Sequence, residues 1–588
     1  MTYLKTETFK HLILLLIVAV PLFSLGISNH GLWSADEPRV AEIGREMALT
    51  GNWAVPTLNR KPFLEEPPLY YGALALTFKA FGGACDKIAR FPSALFSFAT
   101  VLVLFFLANS IFGPRVALLS GLILATSGEY FRVSHWIVVD SALTFFVVST
   151  LALFITGYLS DSSRKKFLCY TLAYVASTLA FYAKGFIGIV IPGLSILAFL
   201  CFERNLKEIL RMRLWLGILI FLGMTLPWFM ALWRQAGAEY FKIFFLHNHL
   251  QRFLPASMAG QISGAASGHH HPFYYYVTEF PGGFLPWSIL LIPVLFHAFS
   301  RTGLPSDPGS PQAKGRLFAK CWFLAGIIFL SVASTKRTLY LMPIFAPISL
   351  LTATYSDFTL SSGTVDRMGK VFLWVFDVLL IVVGAALIPA YFYLKEVYLQ
   401  TLPASLLASV IPVSMLILAL ALAGAFYLRR GSLKPYWVSV NISVVVALLF
   451  TLTAIVPILD KHKSFVPFCD QVTATVPAER QLYAYRPDET LRGAVPFYTG
   501  RFVIEEEKIN GALFSEEKPF YLIIRDRREA MEKELLSTGK LNVLVKQLMG
   551  SDRALVLFTN MPVARTVTIG DAFKKAGKIR TPNYHRQS

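Results

Sequence analysis

The chain has 588 residues, of which 55% are hydrophobic and only 15% charged, and its mean hydropathy is +0.54. A soluble protein carries about a quarter charged residues, whereas repeated apolar stretches of about 20 residues are typical of helices that cross a membrane. The net charge of +19 does not indicate a nucleic-acid partner, because the basic residues lie in short loops between apolar runs. The five cysteines form no CxxC pair, so the sequence predicts neither a disulfide framework nor a zinc site.

The first apolar run, Leu12 to Ile27, has no A-x-A cleavage site and is predicted to remain as a signal-anchor helix. Two carboxylates, Asp36 and Glu37, follow it directly. A carboxylate at a membrane face has to be solvated, paired with a cation or used in chemistry. The pair opens a polar stretch that continues to Glu66, and this stretch is the first candidate for a functional site.

Thirteen apolar segments predict membrane-spanning helices, near residues 9–27, 88–110, 115–130, 136–158, 166–182, 185–203, 213–233, 284–299, 317–334, 339–356, 371–394, 404–428 and 435–457. A further stretch at 67–83 is interrupted by Lys79 and two glycines, and we expect it to lie in the membrane interface as an amphipathic helix. This count places the basic loops on one side, together with Lys5 and Lys10, as the positive-inside rule requires. The N-terminus is then cytoplasmic, and the chain beyond about residue 458 lies outside.

The composition changes in the last 130 or so residues. Short β-rich runs at 481–485, 520–524 and 554–558 are separated by polar helical stretches such as 527–536, which is typical of a small α/β domain. The sequence therefore predicts a polytopic α-helical membrane domain at 1–457 and a soluble α/β domain at 458–588. Outer loops at about 28–87 and 234–283 would form the site between them.

Three short tips on the predicted outer face carry basic residues. The first contains Arg132, the second Lys184, and the third Lys336 and Arg337. Cations in short external loops oppose the positive-inside rule, so we expect negative groups to face them. The carboxylates predicted on the same face are Asp36, Glu37, Glu65, Glu66 and Asp140.

A cluster of cations and carboxylates at one membrane face suits an anionic, phosphorylated lipid substrate with a general base nearby. For Asp140 the sequence leaves two alternatives open: a place in this site, or a structural pair with Arg132 or His135. The histidines of the second outer loop, among them His247, His249 and the run 269–271, are candidates either for metal binding or for ordinary hydrogen bonding.

With these residues assembled, the chain resembles the aminoarabinose transferase and protein O-mannosyltransferase superfamily of GT-C membrane glycosyltransferases, and in particular the lipid A aminoarabinose transferase branch. The matching pieces are Asp36-Glu37, Glu65 to Tyr71, Ala89 to Ser93, Arg132 to Asp140, Lys184-Gly185 with Pro192-Gly193, His247 to Phe253, His271 to Trp287 and Lys336 to Pro343. They occur in order through about residue 350, and the later spans and outer tail also fit the pattern.

The resemblance implies a GT-C fold in a bacterial inner membrane, with a periplasmic C-terminal domain. It also implies inverting-type transfer of a sugar such as aminoarabinose from a polyprenyl-phosphate carrier to an acceptor such as lipid A. It implies that Asp36 is the base, with Asp140 and Glu65 as further catalytic candidates. The substrate-binding candidates are Arg60, Lys61, Lys184, Arg252, Lys336, Arg337 and Tyr340. It also implies a possible divalent metal at Glu65 and His247, and no nucleotide.

One position departs from the family pattern. Where the aminoarabinose branch usually has lysine after the loop glutamate, this chain has Glu66. A like charge replaces a phosphate contact there, so another cation has to bind the donor phosphate.

Three alternatives to a lipid A transferase remain at this point. A transporter or flippase for a lipid-linked anion shares the many spans, but its site is expected at the bilayer midplane between internal repeats, and the sequence has neither feature. A transferase that acts on another glycan or on a protein, such as a protein O-glycosyltransferase, shares the donor and differs in the acceptor. A structural or assembly protein of the membrane would tolerate substitution of the polar cluster.

Overall fold

The computed structural model describes residues 2–33, 36–244, 271–300, 307, 309–333, 335–397, 402–508, 519–549 and 552–569. Its helices, numbered in chain order, are α1 Thr2–Ser24, α2 Asp36–Thr50, α3 Leu69–Ala80, α4 Asp86–Ala89, α5 Phe91–Phe112, α6 Pro114–Ala125, α7 Gly128–Ser134, α8 Asp140–Tyr158, α9 Ser163–Lys184, α10 Ile187–Phe202, α11 Glu208–Met212, α12 Leu214–Lys242, α13 Tyr275–Gly283, α14 Leu291–Phe299, α15 Pro311–Val332, α16 Met342–Ser362, α17 Arg367–Val397, α18 Ala404–Arg429, α19 Leu433–Phe450, α20 Val456–Lys463, α21 Val466–Thr475, α22 Glu489–Thr499 and α23 Ala530–Leu536. Short 3₁₀ turns at Trp287–Leu290 and Thr338–Leu341 lead into α14 and α16, and a π-helical turn at Thr451–Ile455 joins α19 to α20.

The chain is a multi-pass helical membrane protein. Within the described residues, nine helices are long and apolar enough to cross a membrane, or eleven if each of two bent helix pairs counts as one span. Every one of the thirteen predicted segments overlaps a helix, but α9 and α10 do not meet the same criteria of length and hydropathy. The exact count of thirteen therefore stays a prediction. The segment predicted to lie in the interface contains a helix of 12 residues, Leu69–Ala80, which at 1.5 Å per residue is too short to span a bilayer. Its place in the interface stays a prediction.

The C-terminal part forms a six-stranded mixed sheet. Its strands are β3 Leu482–Tyr485, β4 Val503–Glu506, β5 Tyr521–Arg527, β6 Asn542–Met549, β7 Arg553–Thr559 and β8 Val567–Ile569, and they lie in the order β4-β3-β5-β7-β6-β8. A two-residue hairpin in the first long loop, β1 Thr57–Leu58 and β2 Lys61–Pro62, forms the other small sheet. The predicted β-rich runs coincide with β3, β5 and β7, and the predicted polar helix contains α23.

Alternation along β5 explains the layering of this sheet. Tyr521 and Ile523 belong to one buried cluster, which includes Phe465 and Phe468 from the segment around α21. Leu522 and Ile524 belong to a second cluster on the opposite face, which includes Leu535 of α23. Because successive side chains of a strand point to opposite faces, the apolar run at the start of β5 needs a cover on both sides. The helices supply those covers.

Candidate active site

The turn from α1 into α2 is held by the polypeptide that leaves the last apolar helix. Asp460 of α20 accepts hydrogen bonds from the backbone N–H of Gly31, at 2.9 Å, and from the indole N–H of Trp33, at 2.8 Å. Helix α2 then begins with Asp36 and Glu37 and has Pro38 in its first turn. Carboxylates are favoured at a helix N-terminus, and proline is tolerated there because the first N–H groups have no helical acceptor.

Glu37 is enclosed by a structural ion pair. Its Oε1 and Oε2 accept from Nε and Nη2 of Arg90 at 2.8 and 2.7 Å, and it also accepts the backbone N–H groups of Trp33 and Ile137. Arg90 is fully buried and donates further to the carbonyls of His30 and Gly31. A carboxylate with this many donors has no free acceptor for a substrate. Glu37 thus holds its loop in place by pairing with Arg90.

Asp36, one residue earlier, is bound by two guanidinium groups. Oδ2 accepts from Nη2 of Arg337 at 2.6 Å, and Oδ1 accepts from Nη2 of Arg39 at 2.9 Å. Burial opposes ionisation of the Asp36 carboxyl, but Arg337 and Arg39 outweigh it and hold its pKa below the usual value. Tyr276 fixes the backbone of Arg337, because its hydroxyl donates to the Arg337 carbonyl at 3.2 Å. Asp36 is therefore an ionised carboxylate in a cationic setting.

Arg39 connects Asp36 to two more carboxylates. Its Nη1 lies 3.0 Å from Oε2 of Glu65 and also forms an ion pair with Glu489, which comes from α22 of the C-terminal sheet domain. The side chain of Arg39 is 13% exposed, so these interactions are only partly screened by water. The cluster Asp36–Arg39–Glu65–Arg337 thus brings together residues separated by up to 301 positions, and Glu489 extends it into the tail.

A second buried pair lies next to this cluster. Lys184 donates to both oxygens of Asp140 at 2.7 Å, and its ammonium lies 4.6 Å from the centre of the Tyr340 ring. Lys184 also interacts electrostatically with Asp36 and with Glu66. Asp140 thus contacts neither Arg132 nor His135 through a described ion pair. Arg132 pairs with Glu129, and the ring nitrogens of His135 contact the carbonyls of Phe131 and Leu25.

Arg60 and Lys61 contact the C-terminal domain. The turn between β1 and β2 places Asn59 and Arg60 at positive φ, so the Arg60 guanidinium lies 4.1 Å from the centre of the Phe502 ring. Lys61 forms an ion pair with Glu505 at 2.7 Å. Neither side chain makes a described ion pair with the carboxylates around Asp36, and their predicted role in substrate binding stays a prediction.

The remaining predicted residues divide into two groups. Lys336 donates to the carbonyls of His271 and Ala333 at 2.9 and 2.5 Å, and burial lowers the pKa of its ammonium. Arg252 and His247 lie outside the described residues. The described part of the chain contains no group of three His, Cys, Asp or Glu side chains placed to hold a metal ion. The Glu65 carboxylate is bound to Arg39, and a metal shared by Glu65 and His247 stays a prediction.

A cavity of about 870 Å³ lies beside the start of α2, between the membrane helices and the sheet domain. Its membrane side is apolar and includes Leu452 and Leu459, and its upper wall includes the basic residues Arg132, Lys463 and Arg553. Trp33 and Trp136 line it next to Arg132 and Lys463, whose cationic groups lie 4.3 and 4.6 Å from the Trp136 and Trp33 ring centres. An apolar floor with a basic upper wall suits an amphiphile with a negatively charged head group.

Two functionally placed residues were not predicted as such from the sequence. Arg90 is 53 positions from Glu37, and Glu489 is 450 positions from Arg39. A fully buried arginine is expensive unless paired, so an arginine at the start of an apolar helix was an available signal for Arg90. No sequence pattern identifies Glu489, which is an ordinary acidic residue at a helix N-terminus.

Comparison with known proteins supports the fold. The family model described as dolichyl-phosphate-mannose-protein mannosyltransferase matches residues 11–241. An undecaprenyl phosphate-alpha-4-amino-4-deoxy-L-arabinose arabinosyl transferase of Pectobacterium carotovorum is 28% identical over 62% of this chain and 62% of its own length. The protein of the same name from Pseudomonas paraeruginosa is 31% identical over 57% of this chain and 58% of its own length. The chain thus matches about three fifths of the length of these curated relatives.

The crystal structure of ArnT from Cupriavidus metallidurans bound to undecaprenyl phosphate superposes with a TM-score of 0.72 at 22% identity, over 95% of this chain and 98% of that one. The apo structure of the same protein gives 0.71. The similarity covers both the membrane helices and the sheet domain. The chain has the GT-C fold, and the expectation drawn from its motifs is confirmed in this respect.

Proposed function

We propose that this GT-C protein transfers a sugar from a polyprenyl-phosphate carrier to an acceptor at the periplasmic face of the bacterial inner membrane, with lipid A as the acceptor class. The observation that carries the proposal is Asp36, an ionised carboxylate held by Arg337 and Arg39 beside the Asp140–Lys184 pair. The named relatives use undecaprenyl phosphate-aminoarabinose, which supports a donor of the same chemical class.

The cations of the site suit the leaving group. In the transfer, the bond between the anomeric carbon and the phosphate oxygen breaks, and a new bond forms between that carbon and an acceptor oxygen. Negative charge develops on the departing lipid phosphate, and fixed cations at that position lower the barrier. Among the described cations, we assign this role to Arg337 and Lys184. The ring of Tyr340 packs against Lys184.

Asp36 supplies a negative charge that acts on the acceptor. A carboxylate can take the proton of an attacking hydroxyl, or it can orient an acceptor that is already ionised. The lowered pKa of Asp36 makes it a weak base, which favours an acceptor that releases its proton easily, such as a phosphate oxygen. Attack from the face opposite the leaving phosphate would invert the configuration at the anomeric carbon.

The cavity beside α2 is the proposed acceptor entrance. Its apolar membrane side would receive acyl chains, while Lys463 and Arg553 would receive phosphate groups. No described ion pair within 4.0 Å holds either cation; Lys463 packs on the Trp33 ring, and Arg553 interacts electrostatically with Asp552, which also lines the cavity. A protein acceptor would not need an apolar surface formed by the last membrane helix. This surface therefore favours a lipid acceptor over the protein O-glycosyltransferase alternative.

The sugar is proposed to be aminoarabinose, and the charge of Glu66 bears on this choice. Glu66 is buried and interacts electrostatically with Lys184 and Tyr71. Lys184 is thus the cation positioned to compensate the reversed charge at this place. A negative group near the donor would also favour a sugar that carries an amine, since an ammonium would pair with it.

The orientation and the domain division, 1–457 in the membrane and 458–588 outside, are part of the same proposal. Cysteines introduced at the exposed positions Ser362 and Ser537 would report it in a background with Cys85 and Cys201, both exposed, changed to serine. A membrane-impermeant thiol reagent should label residue 537 from the outside and residue 362 only after the membrane is opened. The opposite labelling would overturn the orientation.

The function itself is tested by mass spectrometry of lipid A and of the polyprenyl-phosphate pool in cells with and without the protein. We expect a pentosamine-sized addition to lipid A that disappears in cells carrying Asp36→Asn. Unchanged lipid A with a consumed donor would assign another acceptor. Donor that moves across the membrane without being consumed would support the flippase alternative.

A further inference from the structure

We propose that the C-terminal sheet domain completes the active site, and that Glu489 is a positioning residue that acts on Asp36 through Arg39. This inference rests on the proposed glycosyl transfer at Asp36. It adds a role for the tail, for which the sequence alone gives none. Four observations on the described residues support it.

The first observation is the tight docking of α22 on α2. A Cβ atom added to Gly493 would lie 2.5 Å from the carbonyl carbon and oxygen of Pro38, so the two helix backbones are in direct contact there. Pro38 lies between Glu37 and Arg39 in the first turn of α2. The sheet domain therefore touches the helix at the turn that carries the candidate base.

The second observation is that the sheet domain binds the chain both before and after α2. The hydroxyl of Tyr498 accepts the backbone N–H of Leu32 at 2.7 Å, four residues before Asp36. Further along, the side chain of Asn59 donates to the Val503 carbonyl at 2.9 Å and accepts the Val503 N–H at 3.1 Å. With contacts before and after it, α2 has a fixed position relative to α22.

The third observation is how the charges are shared. Arg39 interacts with three carboxylates, those of Asp36, Glu65 and Glu489, and electrostatic interaction with all three raises the pKa of its guanidinium above the usual value, against the effect of burial. Each carboxylate that binds Arg39 reduces the positive field that the guanidinium exerts on the others. Glu489 thus weakens the stabilisation that Arg39 gives to the ionised form of Asp36.

The fourth observation is that the position of Glu489 does not depend on Arg39. Glu489 is the first residue of α22, and the preceding Asp488 caps the helix by accepting the Leu491 N–H at 2.9 Å. The Glu489 side chain is 48% exposed, and its described ion pair is with Arg39 alone. Loss of its charge should therefore change the active site and leave the folded sheet domain intact.

The physical consequence has a definite sign. Replacing Glu489 by glutamine removes a negative charge near Asp36 and leaves Arg39 shared by two carboxylates. Both changes stabilise the ionised form of Asp36 and lower its pKa further. A lower pKa makes a weaker base, so kcat should fall, and the acid limb of the pH profile should move to lower pH.

The experiment compares purified full-length protein carrying Glu489→Gln, Glu489→Asp or the control Glu507→Gln, an exposed carboxylate of the same domain. The assay follows transfer from a synthetic polyprenyl-phosphate aminosugar to lipid A across a range of pH. For Glu489→Gln we expect kcat to fall on the order of tenfold, less than the 10²–10⁴-fold contribution of a general base itself, with donor KM within about twofold. The acid limb should shift downward, and Glu489→Asp should recover part of the loss.

The control variant should match the wild type. An unchanged acid limb together with a kcat within twofold of wild type for Glu489→Gln would overturn the inference, as would an equal effect of Glu507→Gln. If Glu489→Gln gives too little folded protein, Glu489→Asp is compared with wild type in the same way, with a smaller shift of the same sign expected. A wild-type protein that transfers no sugar contradicts the proposed function itself, whereas an active wild type with an unaffected variant contradicts only the role of Glu489.

Discussion

Asp36 and Glu37 are neighbours in the first turn of one helix, and the structure gives them opposite surroundings. Glu37 accepts from the fully buried Arg90 and from two backbone N–H groups, so its lone pairs are used by the fold. Asp36 is bound by Arg39 and by the more exposed Arg337, whose side chain is 33% exposed. The difference lies in the partners: the arginine bound to Glu37 is fully buried, while the side chains of Arg39 and Arg337 are 13% and 33% exposed.

This contrast separates a structural carboxylate from a chemical one without reference to sequence motifs. A carboxylate saturated by buried donors stabilises its surroundings, and loss of its charge leaves an uncompensated cation inside the protein. A carboxylate held by partly exposed guanidinium groups keeps its charge at low cost and can exchange a partner for a substrate. Neutralising Asp36 should therefore mainly lower activity, whereas neutralising Glu37 should mainly lower stability.

Asp36→Asn should produce the largest loss of activity. The amide cannot accept a proton or carry the charge that orients an acceptor, so transfer should fall by roughly 10²–10⁴-fold. The amount of protein in the membrane and its melting temperature in detergent should stay near wild type, because the partners of Asp36 remain partly solvated. Transfer at the wild-type rate would remove Asp36 from the reaction.

Glu37→Gln should produce the largest loss of stability. It leaves the Arg90 guanidinium buried without its counter-charge, which costs about 3–5 kcal/mol. Thermal unfolding of the purified protein should begin at clearly lower temperature, while the activity per folded molecule should fall much less than for Asp36→Asn. If Glu37→Gln melted like wild type and lost transfer, the assignments of the two carboxylates would have to be exchanged.

Much of this arrangement could be predicted from the sequence, because apolar runs and charge placement act over short range. All thirteen apolar segments overlap helices, and the β-rich runs of the tail are strands. Treating the basic outer tips as exceptions to the positive-inside rule predicted that cations and carboxylates lie on one face, but not that Asp36 pairs with Arg337. The partners of Asp140 did not follow, because Lys184 is 44 residues away on another helix and nothing local selects it over Arg132.

The tail marks the limit of such reasoning. Glu489 meets Arg39 across 450 residues, and only the docking of two folded regions decides that contact. The same applies to Arg60 and Lys61, where a turn with positive φ at Asn59 and Arg60 directs the side chains to Phe502 and Glu505. Sequence patterns indicate which residues are polar at a face, whereas the folded structure determines which of them are in contact.

Arg337→Gln should have an intermediate effect and a characteristic pH dependence. Removing one of the two guanidinium groups at Asp36 lets burial dominate, so the pKa of Asp36 rises and the acid limb of the pH profile moves upward, opposite to the shift expected for Glu489→Gln. The loss of a cation for the leaving phosphate should also lower kcat on the order of 10- to 100-fold. Arg115→Gln is the matched control, since Arg115 pairs with Asp357 in a half-exposed ion pair elsewhere. If the acid limb moved in the same direction for Arg337→Gln and for Arg115→Gln, that result would argue against a direct effect of Arg337 on Asp36.

Lys61→Gln should have the smallest effect. Lys61 is 66% exposed and its described ion pair is with Glu505 of the sheet domain, and a surface pair of this kind contributes about 0–1 kcal/mol. We expect kcat and donor KM within about twofold of wild type and a melting temperature lowered slightly, by less than in Glu505→Gln, because Glu505 is 6% exposed and also binds Arg492 and Asn59. An increase in donor KM for Lys61→Gln that Glu505→Gln does not share would show that the lysine leaves its partner to bind the donor. The hairpin would then be a moving part of the site, and the contrast between fixed and exchangeable ion pairs would extend from Asp36 to the surface of the tail.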